Sequence, residues 1–396
     1  MRPALFPLLL MLLASVMMAL PAAAQPTPDF DTAWATIRDD YTAIVRDNDI
    51  VGSSLLFMHD GEVLVWETVG LADLETQRPV DEATIYHWAS ITKTFTGIAI
   101  MQLRDRGLLS LDDPIVEYLP ELKTVHNPYG VMDAITLRHL MSHSAGFRSP
   151  TWPWGGDKDW HPHEPTEWSQ LVAMMPYTEI EFEPDSKYHY SNPGIIFLGR
   201  VIELLTGDDY EVYIDKNIFK PLSMAQSYFD HTPYHLLKNR SNNYYIREGQ
   251  PVANGLDFDT GITVSNGGLN APLGDMAKYL AFLMGTDDPD QQARYDSVLA
   301  RTSLEEMWQV RHAVAERGPF QESVALLFHV MERDGFRVVG HTGSQQAFRA
   351  FFYVDPVAHT AALATFNTVG WDEPPDTRTL MEGLRADLFE AIFPLF

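Results

Sequence analysis

Three short patterns, each present once in the chain, hold the side chains from which an acyl transfer could be assembled: Ser90-Ile-Thr-Lys93, Tyr190-Ser-Asn192 and His341-Thr-Gly343. A serine hydroxyl is a weak nucleophile until a base takes its proton, and an amine can be that base when its surroundings lower its pKa. Ser90 and Lys93 stand three residues apart where the polar stretch Tyr86-His-Trp-Ala gives way to an apolar run, so a helix starting there puts both on one face. The bare pattern is weak. Its place at a helix start gives it weight, because the positive helix end favours a developing oxyanion. A phenol near a cationic lysine, Tyr190, can shuttle protons, and the Asn192 carboxamide can orient both lysine and substrate. Gly343 would let a substrate backbone come close, and the Ser344 amide could supply one oxyanion donor opposite that of Ser90.

These residues must be held by elements from both ends and the middle of the chain. Residues 51–58 and 62–69 are β-rich runs across Asp60-Gly61, the signal of a tight hairpin. The far end repeats this: a run at 324–333, Asp334-Gly335, a run at 336–340, then 347–354, Asp355-Pro356 and 360–368. Short turns make these strands antiparallel. Between them, helices are expected at 91–106, 137–142, 193–205 and 273–284, three of them closed by Gly107, Gly207 and Gly285. An amphipathic helix at 31–46 and another at 377–392 flank the whole. Neither half-sheet has enough strands to stand alone, so the two should join. The expected fold is α/β in the α+β sense: an antiparallel sheet flanked by helices with a largely helical insertion. Its sheet part is expected at 25–89 and 310–396 and its helical part at 90–309, all in one catalytic domain, 25–396.

The ordered Ser-x-x-Lys, Tyr-x-Asn and His-Thr-Gly resemble the three active-site motifs of class C β-lactamases and related serine hydrolases. Leu103-Arg-Asp-Arg-Gly-Leu-Leu-Ser-Leu-Asp-Asp-Pro114, Ile135-Thr-Leu-Arg-His-Leu-Met-Ser-His-Ser-Ala-Gly146 and Pro221-Leu-Ser-Met224 are similar to framework segments of that family. The resemblance covers about 51–368 and implies a serine β-lactamase/transpeptidase-like fold. It also implies Ser90 as nucleophile, Lys93 and Tyr190 as the proton-transfer pair, Asn192 as orienter, and the Ser90 and Ser344 amides as oxyanion hole. His341, Thr342 and Gly343 would line the substrate. Two positions depart from the pattern: His341 stands where β-lactamases carry Lys, and Asp185 where a Gly is usual after Glu183-Pro184. Histidine there resembles certain D-Ala-D-Ala carboxypeptidases, D-amino-acid peptidases and esterases. The expected function is a serine hydrolase forming an acyl-enzyme on Ser90, with an ester or a D-amino-acid amide or peptide as substrate. A β-lactamase or D-Ala-D-Ala carboxypeptidase is the alternative, and a receptor acylated without turnover is the rival of another class.

Composition bounds the rest. Arg2, an apolar run and Ala22-Ala23-Ala24 have the order of a secretory signal peptide with cleavage after Ala24, against the alternative of an uncleaved anchor. The expected location is therefore periplasmic or secreted, without a stable membrane span after signal removal. There is no cysteine, so no disulfide framework is available. A formal charge of −26 argues against nucleic acid as a partner. No cofactor is expected. His139 and His143, like His231 and His235, are one turn apart and could in principle hold zinc, but neither pair has the Glu of a His-Glu-x-x-His site, so no metal is expected. The stretch 147–165 carries Trp152, Trp154 and Trp160 and either lines the substrate cleft or packs on itself as a surface loop. The absence of Gly-x-Ser-x-Gly argues against an α/β-hydrolase.

Overall fold

The computed structural model describes residues 28–147, 165–256, 259–370 and 376–396. The expected signal segment and Trp152, Trp154 and Trp160 lie outside the described residues. Among the described residues, no helix is long and apolar enough to cross a membrane.

Both Asp-Gly pairs make the hairpins expected of them. Gly52–His59 (β1) and Glu62–Asp73 (β2) turn at Asp60 (φ 50°) and Gly61 (φ 80°), the two positive values whose twist matches that of the flanking strands. Arg78–Pro79 (β3) closes this edge. At the other end come His312–Arg317 (β4), Phe320–Val324 (β5), His329–Arg333 (β6), Phe336–Gln345 (β7), Phe348–Asp355 (β8) and Thr360–Phe366 (β9). The halves join where β1 lies antiparallel to β9 with Leu56 opposite Leu363. The result is one nine-stranded sheet in the order β3-β2-β1-β9-β8-β7-β6-β5-β4.

Four helices place the site: Pro28–Asp47 (α1), Thr92–Asp105 (α2), Asn192–Thr206 (α3) and Thr377–Ala391 (α4). Alternation along the strands gives each sheet face its own core. Leu55, Phe57, Phe351 and Tyr353 meet Phe30, Trp34 and Tyr41 of α1 and Leu388 and Phe389 of α4. Leu56, Ala350, Phe352 and Leu363 face the helical region, where Phe95 of α2 stacks on Tyr279. Each such large apolar side chain stabilises the fold by about 1.5–3 kcal/mol when fully buried. Helix α2 is buried along every residue from Thr92 to Leu103 and so runs through the centre of the helical region.

Two strand limits differ from the sequence expectation. The run at 324–333 is not one strand: the chain turns at 325–328, with Ala325 N–H donating to Phe328 O at 2.8 Å and Leu327 at φ 60°. That turn is wholly buried and built from Ala, Leu and Phe, so it carries none of the Gly, Pro or Asn punctuation that marks an exposed turn. Likewise β7 runs through the His341-Thr-Gly segment to Gln345, and the next turn places Gln346 and Ala347 both at positive φ without a glycine.

Candidate active site

Strand Ile85–His87 pairs with Leu269–Pro272 and delivers the chain into a 3-10 turn, Ala89–Ile91, that runs directly into α2. Trp88 Nε1 donates to Ala271 O at 2.9 Å, and Leu269 N–H donates to Thr92 Oγ1 at 3.0 Å, locking both ends of this turn. Ala89 sits at φ 49°, a left-handed conformation that costs a non-glycine residue about 1–3 kcal/mol. The strain buys a half-buried Ser90 at the positive end of a fourteen-residue helix.

Lys93 is wholly buried, and its Nζ lies 3.0 Å from Ser90 Oγ. The same amine donates to the Asn266 carbonyl at 2.6 Å and stands 5.0 Å from the centre of the Tyr190 ring. Asn266 was not legible in the sequence, because its main-chain oxygen is recruited by a fold contact 173 residues away. Tyr190 is hydrogen-bonded to Ser90, and burial raises its phenol well above the ordinary value, so it is a neutral O–H at working pH. Ser90, Lys93 and Tyr190 therefore meet as one cluster. Asn192 is the exposed first residue of α3, behind Ser191, whose Oγ caps the helix by accepting from Gly194 N–H at 3.3 Å. The main-chain oxygen that holds the amine belongs instead to Asn266.

The third pattern splits across the sheet, as strand alternation requires. His341 pairs with Phe352 and Gly343 with Ala350, both on the face toward α2, whereas Thr342 pairs with Phe351 on the face toward α4. Thr342 and Ser344 line a cavity of about 150 Å³ with Arg317, Arg349 and Arg385 on that far side. At Gly343 a Cβ would stand 2.3 Å from Trp88 O, so only glycine lets β7 pack against the turn that carries Ser90. His341 is buried with 2% exposure, and its Nδ1 lies 2.6 Å from Thr342 O. A carbonyl only accepts, so Nδ1 carries the proton and the buried Nε2, which has no partner among the described residues, is a lone pair. Burial, helped by His329 and Lys93, pushes His341 well below the usual imidazole range. This imidazole therefore stays neutral through the physiological range.

Around this centre lie further imidazoles. His87 bridges Asn270 Oδ1 at 3.1 Å and Gln345 Oε1 at 3.3 Å, and burial brings its pKa down to about 4. His329 Nδ1 lies 2.8 Å from Glu322 Oε1 and its ring meets His341 edge-on at 5.0 Å. Asp185, the second departure, adopts φ 66°, the conformation that explains why glycine is usual there, and asparagine-like short side chains tolerate it. Of the histidine pairs with zinc spacing, His139 Nδ1 accepts from Thr136 N–H at 3.2 Å and His143 Nδ1 from Ser191 N–H at 3.1 Å. Among the described residues, no group of three or more His, Cys, Asp or Glu is placed to hold a metal ion.

The buried imidazoles make a stability prediction. His87, His143 and His341 all have lowered pKa values in the fold, chiefly from burial. The unfolded chain binds these protons first, so folding stability is complete above about pH 6.5 and falls as the pH drops below it. Each group contributes a slope of about 1.4 kcal/mol per pH unit while only its unfolded form is protonated. Thermal melts of the full protein at pH 7.5, 6 and 5 should show a steep loss between the last two. A flat profile would mean that these rings are solvated.

The geometry agrees with three comparisons. A family model described as Beta-lactamase matches residues 37–385. Protein flp of Staphylococcus aureus (strain MW2) is 28% identical over 210 residues, which is 53% of this chain and 41% of that protein. Penicillin-binding protein 4* of Bacillus subtilis (strain 168) is 28% identical over 176 residues, 44% of this chain and 37% of its own length. The matched part thus spans less than half of these relatives. The octameric penicillin-binding protein homologue from Pyrococcus abyssi superposes with a TM-score of 0.75 at 26% identity, covering 90% of this chain and 77% of that one. A D-stereospecific amidohydrolase from Streptomyces sp. shares the fold, with a TM-score of 0.67 at 24% identity over 84% of this chain and 94% of its own. The match of the family model over most of the sequence, on a fold that sets a serine, a lysine and a tyrosine together at the start of a buried helix, shows that this chain belongs to the Beta-lactamase family of serine hydrolases.

Proposed function

We propose that the protein is an exported hydrolase that forms an acyl-enzyme on Ser90, and that its substrates are neutral esters or D-amino-acid amides and peptides rather than β-lactams. The observation that carries the reading is the 3.0 Å contact between Lys93 Nζ and Ser90 Oγ, beside a Tyr190 phenol kept neutral by burial. Ser90 Oγ adds to the substrate carbonyl as its proton passes to the Lys93 amine. The Tyr190 O–H protonates the leaving group as the carbon–leaving-group bond breaks, and Lys93 refills the phenol. Water then adds to the acyl carbonyl, and the same pair returns the proton to Ser90 Oγ. The Ser90 and Ser344 amides take the oxyanion in each half. Asn192 and Gly343 border the substrate in this scheme; Thr342, expected beside them from the sequence, shares the face of Phe351 toward α4 and is not given that role. Trp152, Trp154 and Trp160 are assigned to its apolar end.

The preference for neutral substrates rests on His341. A neutral imidazole whose proton is held by the Thr342 carbonyl offers no charge to a carboxylate. Steady-state kinetics on p-nitrophenyl butyrate, a D-aminoacyl anilide and nitrocefin test this. The expected order puts the ester or anilide far ahead of nitrocefin, with no gain for nitrocefin from pH 8 to pH 6. His341→Lys should raise kcat/KM for nitrocefin at pH 8 by about 10- to 100-fold, the worth of a charge-assisted hydrogen bond, and leave the butyrate ester nearly unchanged. Wild-type protein that prefers nitrocefin overturns the substrate class. A single burst of product per protein, without turnover, favours the receptor.

A further inference from the structure

One buried imidazole takes no part in the scheme above, yet grips the proton-shuttling residue from three sides. His143 lies just beyond the short helix Leu137–Met141, with its backbone at φ 53° and its side chain 1% exposed. Its carbonyl accepts from His189 N–H at 2.8 Å, and its Nδ1 accepts from Ser191 N–H at 3.1 Å. Between those two residues stands Tyr190, whose ring lies over the His143 ring with centroids 4.5 Å apart and planes 28° from parallel. Three consecutive residues, 189 to 191, are thus held by one histidine.

The chemistry of the ring says which of these contacts selects histidine. A main-chain N–H only donates, so Nδ1 must present its lone pair and Nε2 must carry the proton. That Nε2–H is buried without a partner among the described residues, a condition that costs about 1–3 kcal/mol. Phenylalanine would stack on Tyr190 as well without the cost. What it would lose is the acceptor for Ser191 N–H. Burial keeps the ring neutral, and with it the lone pair that the bond needs.

We propose that His143 is the positioning residue of Tyr190: through Ser191 N–H, His189 N–H and the stacked ring it fixes where the phenol meets Ser90 and Lys93. The inference rests on Tyr190 being the proton shuttle of the proposed reaction. A displaced shuttle slows the chemical step and leaves substrate binding alone, because the His143 side chain is buried with 1% exposure.

The experiment is steady-state hydrolysis of p-nitrophenyl butyrate by the full protein and four variants: His143→Phe, His143→Asn, Tyr190→Phe and the double His143→Phe/Tyr190→Phe. His143→Phe should lower kcat by about 10- to 100-fold, the effect of an ångström-scale misplacement, with KM within about twofold. Asparagine puts its Oδ1 where Nδ1 stood and tolerates the left-handed backbone, so His143→Asn should recover most of the rate. With the phenol already gone, adding His143→Phe to Tyr190→Phe should cost less than about twofold. Equal losses from His143→Phe in both backgrounds, or a change confined to KM, would overturn the inference and leave a purely structural histidine. Tyr190→Phe at the wild-type rate would instead sink the proton path beneath it, and the inference with it. Should the phenylalanine variant not fold, His143→Gln, which keeps a polar group but moves it away from Ser191, is read by the same criteria.

Discussion

Ser90→Ala is expected to abolish covalent labelling by fluorophosphonate or penicillin probes and to lower ester turnover by about 10⁴-fold or more, while thermal stability stays within about 1 kcal/mol of wild type. The two halves of that expectation have separate causes. The hydroxyl is half-buried and meets the Tyr190 phenol and the Lys93 amine, and the amine keeps the Asn266 carbonyl when Oγ is removed. The turn around it is held by Trp88, Leu269 and Thr92, none of which touches the hydroxyl. Packing is therefore indifferent to the change and chemistry is not. Intact-protein mass spectrometry after probe treatment gives the first readout and a thermal melt the second. Wild-type turnover by Ser90→Ala would place the nucleophile elsewhere and end the acyl-enzyme reading.

Lys93→Met and Tyr190→Phe should each lower turnover by about 10²- to 10⁴-fold, the usual worth of a positioned acid or base. Combined, they should cost far less than the product of the separate losses, because one proton path fails once either member is gone. Lys93 is wholly enclosed, and an apolar side chain of similar volume in place of a buried amine is often neutral or stabilising. Its melting temperature should therefore hold while activity falls, which separates lost catalysis from lost fold. Tyr190→Phe keeps the ring that stacks on His143 and removes only the oxygen bonded to Ser90. Fully multiplicative losses in the double variant would mean that the two side chains serve different steps.

What could be learned from the sequence was local or ordered. Asp60-Gly61 and Asp334-Gly335 announced hairpins because their backbone preferences are their own. Gly207 announced the end of α3 in the same way, standing at φ 73° after Thr206. The three-residue interval between Ser90 and Lys93 announced a shared helix face, and the order of the three patterns announced the family. That the two half-sheets join followed from the bare need of each for a partner, whereas the strands that meet, β1 and β9, were shown only by the fold. Elements without such signals were missed: the buried turn at 325–328, the Gln346-Ala347 turn, and the strand His312–Arg317.

The site divides along the same line. The sequence named Ser90, Lys93 and Tyr190, but not the Asn266 carbonyl that shares the amine or the His143 ring that clasps Tyr190. It placed His341, Thr342 and Gly343 side by side, and only the register of β7 on β8 sent His341 and Gly343 to the face of α2 and Thr342 to the other. How far His341 is desolvated was not written there either: burial, with His329 and Lys93 nearby, pushes that ring well below the usual imidazole range. Dihedral preference and residue type are carried by single residues and their neighbours, so they can be read along the chain. Desolvation, tautomer and reach are set by atoms brought from hundreds of residues away, and they exist only once the sheet has closed around α2.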